Sequence, residues 1–198
     1  MRKSKYAPIL APFLKRPSFT AYDAIKKGIP ARMLAYFCKK GLIERLGPGV
    51  YRSVKFHMTT DVQWEGLALA AATVPNGIIC LISALCYHDL TDHIMREYWI
   101  AVPHGQWPAR RKHVRIVRMR NTTLGLKIIK INQHRVRIFN KERVVIDAFR
   151  FLDPETAIKS LQNYLHPSKS YKPDLIKLSN YAKKLRVNIR PYLAALTT

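Results

Sequence analysis

Apolar positions recur at helical spacing from the start of the chain. Ile9, Leu10, Phe13 and Leu14 predict a helix over Tyr6 to Leu14 despite Pro8 and Pro12. Thr20, with Asp23 three residues on, has the form of a capping box and opens a helix from Ala21 to Lys27, which Gly28 stops. Pro30 then pre-sets φ for a third helix, Ala31 to Lys40, closed by Gly41. Met33, Leu34 and Phe37 give that helix an inner face, and Arg32, Tyr36 and Lys39 fall on the other side. Leu42, Ile43 and Leu46 lead to Gly47-Pro48-Gly49, and Val50-Tyr51-Arg52 returns as a strand, so a small hairpin flanked by Arg45 and Arg52 follows at once. Two short helices, a tight turn and a hairpin make a winged helix, whose second helix is the one that enters a major groove. The bland alternative is a helical hairpin with a solvated basic surface.

Periodicity lapses between Val54 and Thr60, which sets a domain boundary at 56/57. Asp61 to Thr73 is rich in Ala and Leu and reads as a helix ended by Pro75-Asn76-Gly77. Ile78 to Leu81 is an apolar run, and Ser83 is expected to cap a helix through Leu90. Strands are predicted at Tyr98 to Val102, His113 to Met119, Leu126 to Ile131 and Arg135 to Phe139, the last two bracketing Asn132-Gln133-His134 as a hairpin. Asn140 caps a helix from Lys141 to Leu152 with Val144, Val145, Ala148 and Phe149 or Leu152 inward. Asp153-Pro154-Glu155 opens another to Leu165, and Pro173-Asp174 a last one with Leu175, Leu178, Ala182 and Leu185 in register. The fold class is α+β: a winged helix-turn-helix over 1–56, then over 57–198 a mixed α/β domain with a small sheet and C-terminal helices.

Charge changes this picture from architecture to partner. The 198 residues carry 35 Lys plus Arg against 12 Asp plus Glu, net +23 with a pI near 10.3. Nucleic acid is the default counterpart of such an excess, ahead of an anionic membrane or an acidic protein. The excess is also segregated. It is +11 over 1–56, −3 over 57–110, +10 over 111–145 and +5 over 146–198. In the second block Arg115, Arg118, Lys130, Arg135 and Arg137 alternate along strands and are expected to extend a DNA footprint, with Arg115, Arg118, Arg135 and Arg137 as contacts. Hydrophobic content of 48% is enough for real cores, and the longest apolar stretches, Gly66 to Val74 and Gly77 to Leu85, are too short to span a bilayer. Three unpaired cysteines, Cys38, Cys80 and Cys86, fit buried reduced thiols and a cytoplasmic compartment.

Catalytic patterns are scarce. The predicted strands contain no Asp or Glu with which a nuclease could hold a cation, and the chain has neither a Gly-Ser dipeptide nor an Asp-x-Asp for nucleotidyl transfer. His88, Asp89, Asp92 and His93 come nearest to a metal cluster but read better as a helix terminus. There is no glycine-rich phosphate loop. No enzymatic activity, metal or cofactor is expected.

The order winged helix with Gly-Ile-Pro, GLIERLGPGVYR, SALCYHDLT, YWIAVP and NKERVVIDAFRF resembles the AbiEi-type antitoxins, regulators of bacterial type IV toxin-antitoxin and abortive-infection loci. The likeness runs from about Tyr6 to Leu165. It implies a winged helix that binds repeats in the protein's own promoter as a repressor, and a C-terminal domain that supports antitoxicity against a nucleotidyltransferase-like toxin without a long-lived complex. By motif it assigns DNA contacts to Arg32, Tyr36, Lys39 and Lys40 on the helix and to Arg45 and Arg52 at the wing. Ser83, His88, Asp147 and Arg150 match second-domain motifs for which the family offers no established chemistry; structural roles are expected, with Asp147 and Arg150 pairing at i, i+3. Two other readings stay open: a nucleic-acid-processing enzyme with an unrecognised site in the second domain, and an RNA-binding module on the basic strands. The arginine-bearing strands lack an aromatic platform, which speaks against single-strand stacking there.

Overall fold

A computed structural model describes residues 5–16, 18–55, 62–111, 113–131, 134–166 and 172–197. Two compact units are formed, Met1–Pro75 with Lys130–Val136, and Asn76–Ile129 with Arg137–Thr198. The boundary expected at 56/57 lies outside the described residues, and the helix that follows it groups with the first unit.

The first unit is a winged helix. Helix α1 (Ala7–Leu14) is followed by a two-residue strand β1 (Phe19–Thr20), α2 (Ala21–Lys26), α3 (Ala31–Lys39), β2 (Ile43–Gly47), β3 (Val50–Ser53) and α4 (Val62–Thr73). The Thr20 hydroxyl accepts from the Asp23 amide at 3.0 Å and donates to the Asp23 carboxylate at 2.7 Å, so the cap read from the sequence is present with a second bond added. Gly28 and Gly41 sit at φ +91° and +67°, each ending its helix. The amides of Ile29 and Leu42 then reach back to the Ala24 and Phe37 carbonyls, which closes both helices with the Schellman arrangement. That closure drives Ile29 into the core with Leu10, Phe13, Phe19, Leu34, Phe37 and Ile43. Strand β1, which the sequence pattern does not reveal, pairs antiparallel with β3 through Phe19–Tyr51 and Thr20–Val50, giving a three-stranded sheet in the order β1-β3-β2.

The chain continues with β4 (Ile78–Ile79), α5 (Leu81–Tyr87), β5 (Tyr98–Pro103), β6 (Val114–Met119), β7 (Leu126–Ile131), β8 (His134–Phe139), α6 (Lys141–Phe151), α7 (Pro154–Leu165), α8 (Leu175–Leu185) and α9 (Arg190–Thr197), all in the second unit except the end of β7 and the first half of β8, which group with the first. The sheet order is β6-β5-β4-β8-β7; β4 runs antiparallel to β5 and parallel to β8, and β5 runs parallel to β6. Helix α6 is the hub against which α5, α7 and α8 pack. Its Val144, Val145, Ile146 and Ala148 are fully buried with Ile79, Leu85, Ile100, Ile138, Leu161 and Leu178.

Three expectations are corrected by the structure, and one element is added. Ser83 does not cap α5: the N-cap position falls at Cys80, because the chain turns sharply through Leu81 at φ +44° and the helix starts three residues earlier. His134 is no turn residue but the buried first residue of β8, while Asn132 and Gln133 lie outside the described residues. Leu175 is exposed in the first turn of α8, ahead of the buried Leu178 and Ala182. Helix α9 was not anticipated; its first amide is taken by the Asn188 side chain, and its Tyr192 packs 4.9 Å from the Phe149 ring.

Candidate nucleic-acid interface

Helix α3 separates its residues as the heptad spacing requires. Leu34 and Phe37 are 0% and 1% exposed, whereas Arg32, Ala35, Tyr36, Lys39 and Lys40 are exposed, Tyr36 by 45%. Positions 32, 35, 36, 39 and 40 lie along one side of a 3.6-residue helix. Tyr36 is braced edge-on by Phe37 at 5.8 Å, and the Lys40 ammonium lies 5.9 Å from its ring centroid. This face holds no acid, and the methyls of Ala31 and Ala35 let a groove approach closely. Arg32, Lys39 and Lys40 have no acidic partner among the described residues. The chemistry fits phosphates and base edges, with Ala available to a thymine methyl.

At the wing the two arginines part company. The register opposes Arg45 to Tyr51 and Glu44 to Arg52, so the arginines project from opposite faces of the hairpin. Arg45 is exposed, its Nε donating to the Gly47 carbonyl at 3.3 Å across the bulge at Arg45/Gly47. Arg52 is clamped between two carboxylates. Its guanidinium is 2.8 Å from Glu44 Oε1 and 3.0 Å from Oε1 of Glu65, a residue only 6% exposed on α4. It tethers the wing to α4, and its charge is matched twice over inside the protein. Gly47 is close to the same helix: a Cβ there would lie 3.0 Å from the Thr73 methyl.

The second basic block is less unified than its alternation suggests. Ile78 is opposite both Ala101 and Arg137, and Ala101 is opposite Val117, so Arg137 and Arg115 share one face of the sheet. Arg118, opposite Val102, is on the other. Arg135 and Arg137 are exposed on β8 between buried His134, Val136 and Ile138, and Arg137 donates to the Asn76 side chain at 3.0 Å. Lys130 is exposed on β7. Arg115 lies 4.4 Å from the centroid of Trp99 and 3.7 Å from Glu97; Arg118 lies 3.7 Å from the centroid of Trp107.

The motif residues of the second unit face inward. The Ser83 hydroxyl accepts from the Trp99 amide at 2.8 Å and reaches the Glu97 carbonyl at 3.5 Å, fixing the start of β5. His88 Nε2 donates to the Phe139 carbonyl at 2.8 Å, and burial holds its pKa below the ordinary histidine value. Asp147, 1% exposed, accepts 2.7 Å bonds from Arg143 and Arg150, so the expected pairing with Arg150 is present. Burial pushes the Asp147 carboxyl up, against the pull of both guanidiniums. Arg143 is itself fully buried, the residue sequence reasoning missed: it also donates to the carbonyls of Leu124 and Asn121, each at 2.9 Å, and lies over the Phe139 ring. Gly125, at φ +74°, must be glycine, since a Cβ would meet the Arg143 Cβ at 2.6 Å. The spacing N-x-x-R-x-x-x-D, a cap followed by an i, i+4 pair, was the available signal.

His93 Nε2 is bonded to the Thr156 hydroxyl at 3.0 Å and Asp92 is paired with Lys159. Among the described residues no three of His, Cys, Asp and Glu are grouped as a metal site would need. No helix among them is long and apolar enough to cross a membrane.

With this geometry in view, the comparisons bear on the first unit. Residues 12–54 match the family model described as transcriptional regulator, AbiEi antitoxin. The match runs from within α1 to one residue past β3, so the resemblance read from the sequence is borne out over the winged helix. No curated protein matches the chain.

Proposed function

We propose that the protein is a sequence-specific, duplex-DNA-binding transcriptional autoregulator that serves as the antitoxin of a toxin-antitoxin system. The observation that carries this reading is α3. Its outward face of Arg32, Ala35, Tyr36, Lys39 and Lys40 is unobstructed by acids and lies on a winged helix whose residues match a family of antitoxin regulators. Arg32, the second residue of α3, and Tyr36 one turn after it are placed to read base edges, while Lys39, Lys40 and Arg45 neutralise phosphates. Arg52 is excluded from this set because Glu44 and Glu65 hold it. Repeats in the protein's own promoter are the DNA target, and a nucleotidyltransferase-like toxin is the functional partner, opposed without a lasting complex. The protein acts in the cytoplasm and performs no chemistry of its own.

The test is titration of the full chain with duplexes tiled across its own upstream region. A specific segment should bind with a footprint of repeats. Arg32→Ala or Tyr36→Ala should then cost about 1–3 kcal/mol on that segment if the residue reads a base. Equal binding to all tiles, or unchanged affinity in both variants, would refute the assignment of α3.

A further inference from the structure

The second unit carries an aromatic-arginine feature that duplex recognition by a winged helix does not use. Between β5 and β6 the chain runs His104-Gly105-Gln106-Trp107-Pro108-Ala109-Arg110-Arg111, and Trp107 stands 77% exposed. An indole offers two broad π-faces to cationic or planar partners. One face is covered: the Arg118 guanidinium carbon lies 3.7 Å from the ring centroid, at van der Waals contact. With one face under Arg118 and 77% exposure remaining, the opposite face is open. Arg110, three residues further along the loop, and Arg120, two residues beyond Arg118, are exposed and have no ion pair among the described residues. Arg118 itself sits on β6, an edge strand, where no further strand among the described residues limits access.

We propose that Trp107 and Arg118 form a stacking site for a base of single-stranded nucleic acid, with Arg110 and Arg120 neutralising the adjoining phosphates. A base on the open indole face would complete an arginine-tryptophan-base stack, since the π-face of any base suits it without a hydrogen-bond code. A duplex cannot use the site, because its bases are already stacked on each other. Arg115 over Trp99, further along β6, repeats the pairing on the other face of the sheet, but Trp99 is half-buried and Arg115 is close to Glu97. The site is therefore assigned to Trp107. The alternative occupant, an acidic peptide, would use the guanidinium groups and leave the exposed ring without a function.

The experiment uses the full chain and three probes: a 12-nucleotide oligo(U), the matching oligo(dT), and a 12-base-pair duplex as competitor. Oligo(U) and oligo(dT) should quench tryptophan fluorescence, and Trp107→Ala should remove most of the quench. That variant should bind single strands roughly 5- to 150-fold more weakly, the range for losing one stacked base. Trp107→Phe should restore part of the affinity, and Arg118→Ala should weaken binding with the indole still present. Preference for oligo(U) over oligo(dT) would mark RNA as the natural source and the reverse would mark DNA. Trp107→Ala should leave duplex binding intact, whereas Arg32→Ala should leave the single-strand quench intact, which keeps failure here distinct from failure of the α3 assignment. Absence of quenching by either strand, or equal single-strand affinity in Trp107→Ala and the parent, would overturn the proposal. Quenching by an acidic peptide but by neither oligonucleotide would overturn it in favour of a protein partner.

Discussion

Replacing Arg52 by Met separates wing architecture from DNA contact. The substitution keeps an unbranched stem against the hairpin but removes a guanidinium that sits 2.8 Å from Glu44 and 3.0 Å from Glu65. Glu44 is 46% exposed and returns to water at little cost. Glu65 has a side chain only 8% exposed and is left as a buried carboxylate without its cation. Breaking a buried pair from one side costs about 3–5 kcal/mol, and the 20% exposure of Arg52 places this case near the lower end, at about 3 kcal/mol. A chain of this length loses about 2–4 °C per kcal/mol, so the melting midpoint should fall by roughly 6–12 °C. Glu65→Leu alone should cost less, and the Arg52→Met, Glu65→Leu double variant should recover most of the loss, giving a coupling that a double-mutant cycle reads directly. On DNA the expectation is opposite in kind. Each phosphate contact contributes roughly 0.9 to the slope of log K against log salt, so Lys39→Ala or Lys40→Ala should flatten the slope by about that much. Arg52→Met, assayed well below its melting point, should leave the slope unchanged. An undiminished midpoint together with a slope flattened by about one contact would show that Arg52 grips phosphate and that its carboxylate clamp opens on DNA.

Asp147→Ala should destabilise the second unit by about 3–5 kcal/mol, because it leaves the fully buried Arg143 without its carboxylate; a urea-unfolding change below about 1 kcal/mol would refute the role given to this pair. Stability should also fall on acidification. Burial lowers the pKa of His88 and of His134 in the folded protein, so between the unfolded value, about 6.5, and the lower folded values the unfolded chain binds more protons. The urea midpoint should therefore decline as pH drops from about 7 towards 5, and His88→Gln with His134→Gln should flatten that decline; a parent midpoint that rises over this range would reverse the assignment.

The winged helix was legible because its determinants are local. Thr20 and Asp23, Gly28, Pro30 and Gly41 each act within one helical turn, and the apolar positions of α3 point to one side by spacing alone. The segments that escaped notice depend on distant partners. Strand β1 is two residues long and exists only because β3 pairs with it. The tether from Arg52 to Glu65 spans 13 positions and a connector, so neither residue announces the other. Ser83 reads as a cap by residue type, yet a left-handed Leu81 starts the helix earlier and frees the hydroxyl to hold β5. The expectation that the basic strands lack aromatic company failed similarly. Trp99 and Trp107 flank those arginines only through the parallel pairing of β5 with β6 and the fold of the loop between them.

The disposition of the acids explains why so large a net charge resolves into particular surfaces. Glu44, Glu65, Glu97, Asp92, Glu142 and Asp147 are each in an ion pair within the protein. Asp153 and Asp174 accept backbone amides as helix caps, and Asp23 is bonded to Thr20. These carboxylates fix architecture; they do not shield α3 or the Trp107 loop. Cations at Arg32, Lys39, Lys40, Arg45, Arg110 and Arg120 thus have no counter-ion among the described residues, and on meeting a nucleic acid they displace the small cations condensed on its phosphates. Release of those ions is what makes the affinity fall with salt. The two surfaces should differ in what they do with this common drive. Helix α3 adds base-edge donors and close-approach alanines, which favour a duplex, whereas the loop before β6 adds an open indole, which favours an unpaired base.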